Sequence, residues 1–343
     1  MGLHELLSSD IESIRSGFSP ELFDGKRVLV TGGAGFIGSW MCDILLSLNS
    51  KVTCVDNLFT GMMKNISHVR GVKGFRFINM DLTKRVPRSR YDLILHLASR
   101  PSPDDYVRHP VETLLINTDG TRRALDLARR CDATFLLAST SEIYGDPDTF
   151  PTPETEQGRV NTIGSRSCYH EGKRVGESLA VAYRREYGMN IRIVRIFNTY
   201  GPRLRADGYY GRALSRFLLQ ALTGQNITVY GNGKQTRSFC YISDTIDGML
   251  RTLIDPRGNG DVFNIGNPQE IRILDLAKKI VKTTGSKSKI SFLPLPDDDP
   301  LRRVPDISKA RRILGFKPRI SLNDGLQKTL VWFQTAYKRK IHQ

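Results

Sequence analysis

Cysteine is scarce, five residues in 343, and Cys42, Cys54, Cys131, Cys168 and Cys240 form no C-x-x-C pair. An odd number without paired spacing argues against a disulfide frame and a thiolate metal site, and predicts reduced thiols in a cytoplasmic protein. Long apolar runs are lacking as well. None approaches the length that crosses a bilayer, and Glu5, Ser8, Ser9 and Asp10 stand where a signal peptide would be apolar. No membrane partner is expected. Acidic residues are in deficit, 35 Asp plus Glu against 51 Lys plus Arg, for a formal charge of +16. The excess is scattered in pairs such as Arg122-Arg123 and Arg302-Arg303, with no basic arm and no reading motif. This distribution suits attraction of a small anion and predicts no nucleic-acid partner. Internal repeats and low-complexity tails are absent. A 39% hydrophobic and 25% charged composition is that of an ordinary enzyme.

What is present begins at Lys26. A short apolar run to Thr31 meets Gly32-Gly33-Ala34-Gly35-Phe36-Ile37-Gly38, and the pattern then turns helical through Leu48. Strand, glycine turn and helix in that order are the context in which glycines let the backbone close on a pyrophosphate at a helix N-terminus. The next strand ends at Asp56-Asn57, placing a carboxylate for the adenosine ribose hydroxyls and against a 2′-phosphate, so NAD is the expected cofactor. Further strands are predicted at Phe75 to Asn79, Leu93 to Ala98, Thr134 to Ser139 and Ile191 to Phe197, with helical segments between. Asp81-Leu82 and Leu97-Ala98-Ser99 then fall at strand ends facing the cofactor. Alternation of this kind predicts an α/β, Rossmann-type doubly wound parallel sheet with a smaller, partly discontinuous substrate-binding region. The expected organisation is a leading helix over 1–24, with Leu7, Ile11 and Ile14 at helical spacing, followed by a cofactor-binding domain over 25–197. That domain gains a late strand near 261–266, and 198–343 is mainly substrate-binding.

Ser139-Thr140-Ser141-Glu142 lies some thirty residues before Tyr169-His170-Glu171-Gly172-Lys173. A Tyr and a Lys four apart share a helix face, so the ammonium is placed to lower the phenol's pKa and make it a usable acid/base. With an upstream hydroxyl on Thr140, the chain resembles the extended short-chain dehydrogenase/reductases that act on nucleotide sugars, from Lys26 to about Phe333. The resemblance implies that Tyr169 takes the proton of a sugar C4 hydroxyl while hydride passes to NAD, with Lys173 on the nicotinamide ribose.

Within that family, Thr-Ser-Glu-Ile-Tyr-Gly-Asp-Pro at 140–147 is similar to the UDP-glucuronate decarboxylases. So are the segments 56–61, 168–174 and 195–199, and Asp298-Asp299-Pro300 running on to 303–307. This resemblance implies decarboxylation of UDP-glucuronate to UDP-xylose by a homodimer formed through helices near 104–130 and 170–188. Glu142 would orient or disfavour the carboxylate through like charge, and Arg303 would stabilise the enolate or help protonate C5, while Thr140 and Ser141 bind near O4. Asn198, Arg212, Tyr230, Arg237 and Arg303 would bind the UDP-sugar, with Arg212 and Arg237 on the pyrophosphate. Either Arg302 or Arg303 could face inward. Other readings are a UDP-glucuronate 4-epimerase, a hexose dehydratase, for which Ser141 lacks the acid, and a non-catalytic NAD-binding scaffold. Three positions depart from the decarboxylase pattern: His170 replaces an Asp, Arg100 occupies a usually neutral place near the nicotinamide and sugar, and the loop from Leu204 to Gly211 is longer.

Overall fold

The computed structural model describes residues 2–206, 212–295 and 300–341. The long-loop reading at 204–211 and the Asp298-Asp299 pair therefore lie, wholly or mostly, outside the described residues. Six strands carry the first half of the fold: β1 (Arg27–Thr31), β2 (Lys51–Asp56), β3 (Phe75–Asn79), β4 (Leu93–His96), β5 (Thr134–Thr140) and β6 (Ile191–Ile196). Eight more follow: β7 (Thr199–Tyr200), β8 (Ile227–Tyr230), β9 (Thr236–Ser238), β10 (Cys240–Tyr241), β11 (Asp261–Ile265), β12 (Glu270–Arg272), β13 (Ile290–Leu293) and β14 (Arg302–Arg303). The main sheet is parallel throughout and runs β11-β6-β5-β4-β1-β2-β3. Val28, Leu29 and Val30 are all fully buried, because helices cover both faces and a strand at the centre needs no polar side.

The strand order reverses between β1 and β4, which pair in register from Val28↔Leu93 to Thr31↔His96. At such a switch point the outgoing loops part and leave a crevice at the carboxyl ends. Helix α2 (Phe36–Ser47) leaves from there. Three consecutive helices, α3 (Pro103–Arg108), α4 (Pro110–Asn117) and α5 (Asp119–Cys131), follow β4, and α6 (Ser167–Tyr187) precedes β6. Gly172 and Gly176 let α6 approach α4 closely: a Cβ at Gly172 would lie 3.0 Å from Asn117 Cβ, and one at Gly176 3.2 Å from Asn117 O.

Residues after β6 both extend the main sheet and build small ones. Strand β11 pairs with β6 from Asp261↔Arg192 to Ile265↔Ile196. Three small sheets, β7–β10, β8–β13 and β12–β9–β14, surround the crevice mouth. Helices α7 (Ala213–Leu222), α8 (Ile242–Ile254), α9 (Ile273–Thr284), α10 (Ser308–Leu314) and α11 (Leu322–Ala336) pack about them, and α12 (Lys338–Ile341) follows.

The leading helix α1 (Leu3–Arg15) exists, but its most buried face is not the expected one. Leu6, Asp10 and Ile14 are buried, while Leu7 and Ile11 are only half-buried. The reading by hydrophobic period passed over Asp10 because it is charged. Its carboxylate is accommodated inside the protein by Tyr241, whose hydroxyl donates to it at 2.7 Å, and by the Lys328 ammonium.

Candidate active site

One cleft of about 420 Å³ lies at the carboxyl ends of the main strands. Gly32, Gly35, Phe36, Ile37, Gly38, Asp56, Asn57, Asp81, Leu82, Leu97, Ala98 and Ser99 line it, together with Thr140, Ser141, Glu142, Tyr169, Lys173, Asn198, Arg212, Tyr230, Arg237 and Arg303. The fold thus brings every candidate residue to one place.

The glycine turn is tight because nothing larger fits. Gly32 has φ +67°, and a Cβ there would lie 2.8 Å from the Ala98 backbone; a Cβ at Gly38 would lie 2.1 Å from Gly32 O. Helix α2 begins at Phe36 with Gly35 as a cap that has no side chain to offer its amides, an arrangement that suits an anion. Asp56, 7% exposed, accepts hydrogen bonds from Ala34 N at 3.0 Å and Leu58 N at 2.8 Å. Burial pushes its carboxyl up from the usual value against those two bonds. Gly61 packs on this carboxylate, since a Cβ would come 2.6 Å from it. Strand β3 ends at Asn79, so Asp81 sits just beyond it, accepting from Thr83 N at 2.9 Å and Thr83 Oγ1 at 2.8 Å. Thr31 Oγ1 accepts from both Leu97 N and Ala98 N at 3.2 Å, and Ser99 donates to Asn117 at 2.9 Å. A glycine cradle, a helix N-terminus and a fixed carboxylate at the end of β2 fit a dinucleotide.

Thr140 ends β5, and its hydroxyl accepts from Glu142 N at 3.2 Å to cap the turn Ser141–Tyr144. Tyr169 and Lys173 project from α6, 5% and 4% exposed, with Tyr106 stacked on Tyr169 at 5.3 Å. Burial is the dominant influence on the phenol and pushes it up to about 12, opposed by the Thr140 hydrogen bond and the charges of Arg212 and Arg303. The expected lowering by Lys173 does not prevail. Its ammonium donates to Ala138 O at 2.8 Å, and burial pulls it down to about 8 despite the charge of Glu177. Beneath them Arg195 grips Glu177 through two hydrogen bonds of 3.1 and 2.8 Å, and donates to Tyr144, which donates to Asn264.

Glu142 is the electrostatic centre of the cleft. Its Oε1 accepts from Arg303, and its Oε2 lies 2.9 Å from His170 Nε2. Burial opposes ionisation, but Arg303, the His170 hydrogen bond and charge, and Arg166 outweigh it and hold the carboxyl well below its usual range. Of the two adjacent arginines, Arg303 faces inward at 5% exposure, while Arg302 turns out to Glu270. Strand β14 runs parallel to β9 with Arg303 opposite Arg237, so the sheet register aligns two cations that are 66 positions apart.

Arg212, expected at a pyrophosphate, lines the cleft at the start of α7 within electrostatic reach of Tyr169 and Glu142, and burial lowers its pKa against their charges. Arg100 lines the cleft, and its guanidinium stacks on Phe59, 3.5 Å from the ring centre, where Asp81, Asp105 and Glu112 act on it. Sequence reasoning missed Arg166, Arg216 and Gln235. Arg216 lies over the Tyr230 ring at 4.6 Å, one turn after Arg212 on α7, and that i, i+4 spacing was the available signal. Gln235 donates to Tyr230 O at 2.7 Å. His170, one of the positions that depart from the decarboxylase pattern, points into the protein onto Glu142.

Residues 28–266 match the NAD dependent epimerase/dehydratase family. The chain belongs to that family. Among relatives, it is 47% identical over 319 residues to UDP-glucuronic acid decarboxylase 1 of Xenopus tropicalis, covering 93% of this chain and 75% of that protein. It is also 47% identical over 302 residues to UDP-glucuronic acid decarboxylase 2 of Arabidopsis thaliana, covering 88% and 67%. Among solved structures, the UDP-glucuronic acid 4-epimerase of Bacillus cereus in complex with UDP-glucuronic acid and NAD superposes with a TM-score of 0.80 at 30% identity, covering 90% of this chain and 99% of that one. In this cleft Glu142, Arg303 and His170 form one hydrogen-bonded cluster.

Proposed function

We propose that the chain is an NAD-dependent UDP-glucuronate decarboxylase that makes UDP-xylose. The observation that carries this reading is the pairing of Glu142 with Arg303 within the cleft that also holds Tyr169 and Thr140. It is supported by the 47% identity to proteins of that name.

The residues divide the work as follows. The glycine loop, Asp56, Asn57, Asp81, Leu82 and the 97–99 segment would hold NAD, which when bound would take a hydride from C4 of the sugar and later return it there. Tyr169 takes the O4 proton, with Thr140 and Ser141 hydrogen-bonding around O4 and Lys173 holding the cofactor ribose. A ketone at C4 stands β to the C6 carboxylate, so the C5–C6 bond breaks with its electron pair delocalised into an enolate. Glu142 disfavours the carboxylate by like charge and Arg303 steadies the enolate. Tyr169 then returns its proton to O4. Asn198, Arg212, Tyr230 and Arg237 bind the UDP moiety, and Arg216 and Gln235 hold Tyr230 in place.

In this reading, 25–197 with the strand near 261–266 serves the cofactor, and 198–343 mainly the UDP-sugar. Exposed Val107, Val111, Leu114, Leu115 and Val175 on α3, α4 and α6 support a homodimer through these helices, which sedimentation would test by loss of the dimer in Val111→Asp. Five free cysteines support a cytoplasmic location, and among the described residues no helix is long and apolar enough to cross a membrane.

Incubation with UDP-glucuronate and NAD tests the activity. Carbon dioxide with UDP-xylose is expected. UDP-galacturonate would establish the 4-epimerase instead, and tight NAD binding without turnover a scaffold.

A further inference from the structure

Decarboxylation leaves a proton unaccounted for. Tyr169 borrows one from O4 and gives it back to O4, so it contributes none overall. Yet a C5–C6 bond is replaced by a C5–H bond, and one additional proton must reach C5 in every turnover.

The groups that act on Glu142 narrow the source. Arg303 on β14, Arg166 at the start of α6 and Arg212 at the start of α7 are guanidiniums, which do not release protons in proteins. Tyr169, on α6, is committed to O4. Lys173 is engaged with Ala138 O. His170 remains, 6% exposed, with Nε2 2.9 Å from Glu142 Oε2. Since an ionised carboxylate only accepts, this nitrogen carries a hydrogen aimed at Glu142.

We propose that His170 is a positioning residue that supplies, through Glu142, the proton that C5 takes up once carbon dioxide has left. This rests on the decarboxylase reading above. The step balances as follows. The C5–C6 electron pair forms the enolate as carbon dioxide departs, and His170 passes a proton from Nε2 to Glu142 Oε2. Glu142 delivers one proton to C5, and the enolate becomes the C4 ketone. His170, left neutral, is recharged from solvent, while Arg303 keeps hold of Glu142 throughout. Glu142 is held too strongly ionised to store the proton between turnovers, so it serves as a conduit and imidazole as the reservoir.

The sign of the pH dependence follows. Supply requires imidazolium, so C5 protonation slows toward alkaline pH. The arginines stay charged.

Single-turnover experiments in H2O and D2O, reading carbon dioxide and UDP-xylose separately, test this. In the wild type, UDP-xylose formation should fall toward alkaline pH while carbon dioxide release does not. His170→Gln, which keeps an amide donor for Glu142 without a transferable proton, should slow carbon dioxide release far less than UDP-xylose formation, because Arg303 still holds Glu142. It should form UDP-xylose roughly 100-fold more slowly, the order expected for a lost general acid, without the alkaline fall. His170→Ala should regain rate with added imidazole. An unchanged rate and alkaline limb in His170→Gln would overturn the proposal, as would a pH-independent wild-type product step should the variants not fold. A wild type that releases no carbon dioxide would instead overturn the decarboxylase reading.

Discussion

Glu142 owes its charge to three neighbours. Arg303, His170 and Arg166 overcome the burial that would neutralise it, and each removal has a direction. Because the folded-state carboxyl lies below its unfolded value, its stabilisation is fully present above the usual carboxylate range and is lost as pH falls through the folded value. Glu142→Gln is therefore expected to destabilise at pH 7 by up to about 3 kcal/mol, the low end for breaking a buried pair because Glu142 keeps some solvent contact. Urea unfolding should show the difference from wild type shrinking in acid. In activity, Glu142→Gln should slow carbon dioxide release while leaving NAD affinity intact. Tyr169→Phe, lacking the proton carrier, should lose sugar oxidation by about 100-fold or more, measured as NADH formed on mixing with UDP-glucuronate. Normal oxidation in that variant would remove Tyr169 from the reaction.

At the level of elements, the cleft depends on close approaches that side chains would block. The Gly32–Gly38 turn is the tightest of these: α2 starts against the carbonyl it has just left, and a methyl at Gly38 meets Gly32 O at 2.1 Å. Backbone cannot swing aside as a flexible side chain can. Gly38→Ala is expected to cost about 1–3 kcal/mol through overpacking and to weaken NAD binding, since α2 must shift from its place at the phosphates. Thermal unfolding and calorimetric NAD titration read the two effects. Unchanged NAD affinity would mean that the turn is merely structural. The β9–β14 pairing has a different role: two short strands suffice to set Arg237 beside Arg303, because ladder register fixes which residues face each other.

The whole molecule is tied together by its first helix as much as by its sheet. Asp10 on α1 joins Tyr241 at the foot of α8 to Lys328 on α11, two elements from the second half of the chain. Asp10→Ala would leave the Tyr241 hydroxyl and the Lys328 ammonium without their shared acceptor. It should cost about 1.5–3 kcal/mol, the range for hydrogen bonds to a charged group, lowering Tm by several degrees with little change in kcat. Differential scanning calorimetry beside a steady-state assay would check both. A kcat loss matching the Tm loss would show that α1 also shapes the cleft.

Much of this was legible in the residues alone. The glycine turn between a strand and a helix, the carboxylate at the end of β2, and Tyr169 with Lys173 one helical turn apart are local patterns, and local patterns are written directly in residue spacing. The sequence by itself determined the α/β class, the expected cofactor and the placing of Tyr169 and Lys173 on one helix face. Only the tertiary structure decided which of Arg302 and Arg303 faces inward, where Arg100 points, and that Asp10 is a buried anchor. It also joined His170, Glu142 and Arg303, which come from α6, the turn after β5 and β14. Their charges are felt through space across a buried cleft, where desolvation and near neighbours set the ionisation of each group. Separation along the chain does not reveal those distances.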